Sequence, residues 1–179
     1  MIKQDTSENQ ANTIYLAIGS NLGNRVHNIE KAKFLLIKNN ISLISVSKYY
    51  ETPSWPNPKN PKFINIVLKA KSLLNPLELL NLCKTIEISL GRKITPKNSP
   101  RECDIDIVDF NGLIKDSKDL VLPHPRAHLR NFVLYPLNDI NSNWKHPIIN
   151  KKIDFFIKKL NFEKRNEITR MKESVIIDS

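Results

Sequence analysis

The order of apolar and polar positions along the chain predicts alternating strands and helices. Runs rich in β-branched and aromatic residues occur at 13–19, 41–51, 63–71 and 104–110. Two segments with helical spacing of apolar residues separate them, at 26–37 and 76–90. The resulting order, strand-helix-strand-strand-helix-strand, is that of a split βαβ unit. We therefore expect an α+β, ferredoxin-like sandwich with an antiparallel sheet.

The rest of the chain predicts additions to this unit. Asn111-Gly112 is typical of a type I′ hairpin, and helices are expected around 128–135 and at 153–162. We expect one domain at 13–162, preceded by a disordered or extended segment at 1–12 and followed by a loose tail at 163–179. One side of the predicted helix 76–90 is formed by Leu77, Leu80, Cys83, Lys84, Glu87 and Leu90.

Composition narrows the class of protein only slightly. The chain has 179 residues, enough for one domain with a proper core, and 40% of them are hydrophobic. The net charge of +10 suits anionic partners, but a general bias toward Lys, Asn and Ile produces the same excess. Two cysteines without metal-site spacing indicate reduced thiols. No apolar run is typical of a signal peptide or a membrane span, so we expect a cytoplasmic protein without a membrane partner.

The segment D-I-D-I at 104–107 carries the first candidate chemistry. Because side chains alternate along a strand, Asp104 and Asp106 share one face, with Cα atoms about 6.5 Å apart. Two such carboxylates can hold a pair of Mg²⁺ ions that also bind phosphates, and Arg101 adds a forked cation beside them. Acidic faces are, however, also common on open antiparallel sheets.

Residues 52–65 contain two further features, a proline-rich loop and an amide in a predicted strand. The loop at 52–61 contains four prolines and is therefore stiff without being regular. Asn65 lies among apolar residues of a predicted strand, and a buried amide needs a hydrogen-bonding partner.

Six segments now occur in one order: A-I-G-S-N-L-G-N-R at 17–25, Y-E-T-P at 50–53, F-I-N at 63–65, L-G-R at 90–92, S-P-R-E-C-D-I-D-I-V at 99–108 and L-P-H-P-R at 122–126. Together they make the chain, over about residues 13–160, resemble the 6-hydroxymethyl-7,8-dihydropterin pyrophosphokinases of the folate pathway. The resemblance implies transfer of pyrophosphate from ATP to the hydroxymethyl group of the pterin, with release of AMP. It implies ATP as co-substrate and two Mg²⁺ ions. We expect a monomer that binds these small molecules and no nucleic acid.

The resemblance also implies roles for individual residues. Asp104 and Asp106 match the metal ligands and, with Arg92 and Arg101, make up the catalytic set. The positions that match the pterin site are Thr52, Pro53, Trp55, Phe63, Asn65 and Phe132. Those that match the nucleotide site are Lys84, Glu87, Arg92, Arg101, Ile107, His124 and Arg130.

Structural alternatives stay open for several of these residues. The sequence alone favours plain core packing for Phe63 and Phe132, and a solvated helix face stays open for Lys84 and Glu87. His124 between two prolines is compatible with a loop histidine that makes a local backbone bond.

The chain also departs from the family pattern. Ile94 stands where many members carry a second arginine, which Lys93 or Lys97 would replace only as point charges. Ser99 replaces a glycine or alanine, and Trp55-Pro56 a smaller residue and glycine.

Two other functions fit parts of the sequence. A ferredoxin-like nucleic-acid-binding module would share the fold and the basic charge, but the chain lacks the basic-glycine-aromatic run of such domains. A metal-dependent nucleotidyltransferase also combines a glycine-serine turn with D-x-D. Here, however, Gly19-Ser20 lies far upstream of Asp104.

Overall fold

A six-stranded antiparallel sheet carries the site. The structure, a computed structural model, describes residues 10–93, 96 and 98–172. The strands are β1 (Asn12–Ser20), β2 (Ser42–Val46), β3 (Tyr50–Thr52), β4 (Phe63–Ser72), β5 (Asp104–Phe110), β6 (Lys115–Asp116), β7 (Val121–Leu122) and β8 (Thr169–Arg170). The helices are α1 (Arg25–Lys38), α2 (Pro76–Ser89), α3 (Asn131–Ile140), α4 (Ile153–Lys159) and α5 (Phe162–Asn166), with a 3₁₀ turn at Ala127–Leu129. The sheet order is β5-β1-β4-β3-β8, with β2 also on β4, and β6 pairs with β7 separately.

The sheet is covered on both faces because alternate residues of β1 are buried in different cores. Ile14, Leu16 and Ile18 belong to a core that contains the buried apolar residues of α1 and α2. Tyr15 and Ala17 belong to a second core, formed with α3 and α4. The predicted α+β class with an antiparallel sheet is confirmed. In the described part of the chain, no helix is long and apolar enough to cross a membrane.

The single strand predicted at 41–51 is wrong, because the segment forms two strands, β2 and β3. The hydroxyl of Ser47 accepts the backbone N–H of Val67 at 3.0 Å and donates to the carbonyl of Lys48 at 2.8 Å. The Ser47 hydroxyl therefore takes the place of a backbone acceptor in the hydrogen bonding to β4. The chain rejoins the sheet three residues later, at Tyr50. Thr52 consequently lies opposite Phe63.

The expected side of α2 is also partly wrong. Leu79, Cys83, Ile86 and Glu87 are its buried residues, whereas Leu77 is 41% exposed. The predicted helix start is confirmed, since Asn75 forms a capping box.

Asn111 and Gly112 have the positive φ values of a type I′ turn, 50° and 71°. The strands that pair as a ribbon are nevertheless β6 and β7, which follow this turn, so the hairpin was predicted too early in the chain.

The chain after α4 departs from the expected tail. The helix predicted at 153–162 ends at Lys159, and Asn161 caps α5 through the backbone N–H of Lys164. Residues 163–170, expected to be loose, contain most of α5 and all of β8, which pairs with β3. Most of the predicted N-terminal segment (1–9) and the end of the predicted tail (173–179) lie outside the described residues, as do Ile94 and Lys97.

Candidate active site

The sheet order brings three distant parts of the sequence together at one end of β1. Since β1 lies between β4 and β5, Gly19 is opposite Asn65 on one side and opposite Asp104 on the other. A cavity of about 280 Å³ opens at this point, on the sheet face that carries α3. Its walls come from β1, β3, β4, β5, α3 and α5.

Gly19 allows the backbone of β1 to approach the side chains of β4. A Cβ atom at this position would lie 2.8 Å from Oδ1 of Asn65 and 3.3 Å from a ring carbon of Phe63. Both distances are shorter than ordinary contacts with a Cβ. The glycine is therefore required by close packing against two candidate substrate-binding residues.

The carboxylates of Asp104 and Asp106 share one face of β5 and line the same cavity, as their spacing predicts. Asp104 is bound by Arg101 Nη2 at 2.5 Å and by Arg92 Nη1 at 3.0 Å. Asp106 is bound by Arg130 Nη1 at 2.9 Å. Each carboxylate therefore lies next to a guanidinium, and the cluster is polar and partly exposed.

Glu87 supports this cluster from behind. Its carboxylate accepts the backbone N–H of Ile105 at 2.6 Å and pairs with Arg92 at 2.5 Å. Burial and the charge of Asp104 raise the pKa of Glu87 to about 7, although the bonds from Ile105 and Arg92 act in the opposite direction. The solvated-face alternative is therefore wrong for Glu87, which is 5% exposed. Lys84 is exposed and lies outside the cavity.

All six residues predicted for a pterin site line the cavity: Thr52, Pro53, Trp55, Phe63, Asn65 and Phe132. The amide nitrogen of Asn65 donates to Oγ1 of Thr52 at 3.0 Å, which supplies the partner that a buried amide needs. Phe63 is only partly buried and belongs to neither core, whereas Phe132 packs at the edge of the second. Plain core packing therefore does not describe Phe63.

Two guanidinium groups lie over these rings. Arg101 is 5.2 Å from the ring centre of Phe63, and Arg130 is 5.3 Å from that of Phe132. These are cation–π distances. The same arginines bind Asp104 and Asp106, so each links one carboxylate to one aromatic ring.

The remaining predicted nucleotide residues lie behind the cavity wall. His124 Nε2 is 3.6 Å from Asp106, and its Nδ1 accepts the backbone N–H of Arg126, which is the local bond of the structural alternative. Burial lowers the pKa of His124, and the charges of Arg130 and Arg126 add to this effect against that of Asp106. Ile107 is buried in the core under α1 and α2, on the other face of β5.

Asn21 joins three loops of the site and was not predicted. Its side chain donates to Ser54 Oγ and to the carbonyl of Pro61, both at 3.1 Å, and accepts the backbone N–H of Arg101 at 2.8 Å. The signal available in the sequence was an amide in a glycine-rich turn. Asn21 does not line the cavity itself; the cavity residues that were not predicted are Ala17, Ile18, Gly19, Asn98, Arg126, Leu129, Asn131, Lys164 and Glu167.

Comparison with known proteins relates this arrangement to one family. The chain is 40% identical over 144 residues to a 2-amino-4-hydroxy-6-hydroxymethyldihydropteridine pyrophosphokinase of Aquifex aeolicus, covering 80% of this chain and 89% of that protein. It is 38% identical to the Bacillus subtilis protein of the same name, covering 72% and 78%. It is also 40% identical to the folic acid synthesis protein FOL1 of Dictyostelium discoideum, but spans 22% of that protein.

Solved structures agree in fold. A crystal structure of Plasmodium falciparum HPPK-DHPS superimposes with a TM-score of 0.70 at 18% identity, covering 92% of this chain and 45% of that one. Residues 15–142 match the sequence profile of 7,8-dihydro-6-hydroxymethylpterin-pyrophosphokinase (HPPK). Taken with the relatives of nearly equal length, this match means that the chain belongs to the HPPK family.

Proposed function

We propose that this pyrophosphokinase of folate biosynthesis transfers pyrophosphate from ATP to the hydroxymethyl group of 6-hydroxymethyl-7,8-dihydropterin and releases AMP. One observation carries the proposal. The aromatic pair, the buried amide, the two carboxylates and two of the cations predicted for this reaction all line a single cavity. Both substrates therefore have their recognition groups within one space.

The pterin binds between the aromatic rings. A flat, hydrogen-bonding bicycle needs apolar faces above and below and a polar group at its edge. Phe63 and Phe132 provide the faces. Asn65 reads the edge, held in orientation by Thr52.

The phosphates of ATP bind beside Asp104 and Asp106, where Arg101 and Arg130 neutralise their charge. Arg101 Nε is buried and has no hydrogen-bond partner in the described part of the chain. Arg92 contacts Asp104 and His124 contacts Asp106, and both residues contribute to the electrostatic field at the phosphates. The acceleration then comes mainly from positioning and electrostatic stabilisation, which dominate phosphoryl transfer.

The carboxylate pair fits Mg²⁺. Asp104 and Asp106 face one cavity and already lie against cationic groups, and the described residues offer no cluster of three or more acidic, histidine or cysteine side chains there. Mg²⁺ suits such a sparse oxygen site, because it fills its octahedron with water and phosphate oxygens. Asp104 and Asp106 would hold two Mg²⁺ ions, whose charge would stabilise the phosphates and favour deprotonation of the attacking hydroxyl.

We also propose that the protein acts as a cytoplasmic monomer that binds no nucleic acid. Cys83 and Cys103 are free and buried, and burial raises the pKa of both thiols, as suits a reducing compartment. Three arginines of the site are paired with acidic side chains rather than spread over an exposed face. Such an arrangement favours a small anionic ligand over a polyanion.

Analysis of the nucleotide products tests the proposed reaction. The purified protein is incubated with ATP and Mg²⁺, with and without the pterin, and a parallel sample contains a chelator. We expect AMP only when pterin and Mg²⁺ are both present. Formation of ADP would contradict pyrophosphate transfer, and full activity with the chelator would contradict the role of Mg²⁺.

A further inference from the structure

The segment 162–171, which contains α5 and β8, lies beyond the residues that match the family profile, 15–142. It nevertheless supplies two side chains, Lys164 and Glu167, to the wall of the substrate cavity. A segment outside the matched region therefore forms part of the site.

The segment is attached to the strand that ends in the site. β8 pairs with β3, with Tyr50 opposite Arg170 and Glu51 opposite Thr169. One residue further on, the backbone N–H of Met171 donates to the carbonyl of Tyr49 at 2.9 Å. Since β3 ends at Thr52, the residue that holds Asn65, the segment packs beside the site rather than extending away from it.

A buried amide connects the segment to the other wall of the cavity. Asn131 is 3% exposed, and its side-chain nitrogen donates to the carbonyl of Lys164 at 2.7 Å and to Glu167 Oε1 at 2.9 Å. Its side-chain oxygen accepts the backbone N–H of Phe132 at 2.7 Å. The first turn of α3 has no side-chain cap from Arg130, so this bond satisfies an otherwise free N–H there.

The geometry points to Glu167 as a positioning residue for the pterin site. Through Asn131 it fixes the first turn of α3, and with it the ring of Phe132. Without the Glu167 carboxylate, one N–H of a buried amide loses its acceptor, and an unsatisfied buried donor is costly enough to reorient the amide. This inference rests on the proposed function, which assigns Phe132 to the pterin.

The test compares the binding of two ligands by calorimetry in the full chain. We expect Glu167→Ala to weaken binding of the dihydropterin about tenfold, the loss of one hydrogen bond to a charged group, and to leave ATP binding within about twofold. Glu167→Gln keeps an acceptor oxygen and should restore pterin binding. Glu163→Ala is the matched control, because Glu163 lies on the exposed helix α5, which Glu167 directly follows, but outside the cavity.

Three results would overturn the inference. Pterin binding by Glu167→Ala within about twofold of wild type would show that the Glu167 hydrogen bond does not affect the pterin site. Equal weakening of pterin and ATP binding by Glu167→Ala would indicate that Glu167 supports the fold as a whole. Pterin binding by Glu167→Gln as weak as that by Glu167→Ala would indicate that the charge of Glu167 matters rather than its acceptor oxygen. Wild-type protein that binds pterin but forms no AMP would contradict the proposed function alone, whereas failure to bind pterin would contradict both.

Discussion

The guanidinium of Arg130 donates to the carboxylate of Asp106 across 2.9 Å, although the two residues are 24 positions apart in the chain. Both residues line the cavity, and their contact joins the residue before α3 to the strand β5. Arg101 and Arg92 bind the other aspartate, Asp104, in the same way. Removal of Asp104 therefore leaves Arg101 without its acidic partner, and removal of Asp106 does the same to Arg130.

Removal of Asp104 or Asp106 should abolish turnover and preserve the fold. For Asp104→Ala and Asp106→Ala we expect kcat to fall at least about hundredfold, about 2.7 kcal/mol of barrier, because a proposed Mg²⁺ ligand is lost. Steady-state kinetics with saturating ATP and pterin measure this effect, and circular dichroism checks the fold. Activity within about tenfold of wild type would contradict the metal assignment.

The third aspartate of β5 provides a contrast within one strand. Asp109 is 5% exposed, accepts the indole N–H of Trp144 at 2.7 Å and the backbone N–H of Gly112 at 2.8 Å, and does not line the cavity. We expect Asp109→Ala to lower the free energy of unfolding by about 1–3 kcal/mol, since the buried indole N–H of Trp144 and the partly buried N–H of Gly112 lose their acceptor. Urea denaturation measures this loss. The kcat of the folded fraction should stay at the wild-type value, and a selective loss of kcat without destabilisation would be inconsistent with this structural role.

Gly19→Ala should damage the pterin side of the site selectively. The added methyl group would come within 2.8 Å of Asn65 Oδ1, so the amide has to move away from the ligand edge. We expect KM for the pterin to rise about tenfold or more, the effect of a misoriented hydrogen bond, while KM for ATP changes little. Asn65→Ala is the comparison variant and should show the same selectivity. If KM for both substrates rises equally, Gly19 shapes the whole sheet end rather than the pterin site.

The raised pKa of Glu87 should appear as a pH dependence of stability. Because the pKa is about 7 in the folded protein and near 4.5 ordinarily, the folded state binds an extra proton between these values. The contribution of Glu87 is then fully present below pH 4.5 and is lost as pH rises through 7. We expect the free energy of unfolding of wild type, relative to Glu87→Gln, to decrease by at most about 3 kcal/mol over this range.

Urea unfolding of both proteins at several pH values measures that difference, in which the titration of all other groups largely cancels. A constant difference from pH 4.5 to 8 would mean that Glu87 is ionised normally in the folded protein.

Local periodicity predicted the parts of the site that lie within one element. The alternation of β5 placed Asp104 and Asp106 on one face, and the isolated amide at Asn65 signalled a need for a partner. The identity of that partner, Thr52, depends on the pairing of β3 with β4 and on the break at Ser47, which no local pattern specifies.

The predictions that failed depend on long-range contacts. Residues 163–170 are mostly polar and lack a periodic apolar pattern, so they were expected to be loose. Strand pairing with β3 and the buried side chain of Asn131 hold them instead. For Glu87, the sequence is compatible with either a nucleotide role or a solvated helix face. Its location behind the site depends on the backbone N–H of Ile105, 18 residues away.

In the proposed reaction, the hydroxymethyl oxygen of the pterin attacks the β-phosphorus of ATP in this cavity. Phosphorus-31 NMR of the complete reaction tests this claim, because it reports where both transferred phosphates end. We predict that ATP is converted into AMP and a pterin that carries two coupled phosphorus signals, in equal amounts. A pterin with a single phosphorus signal, together with ADP, would contradict the claim.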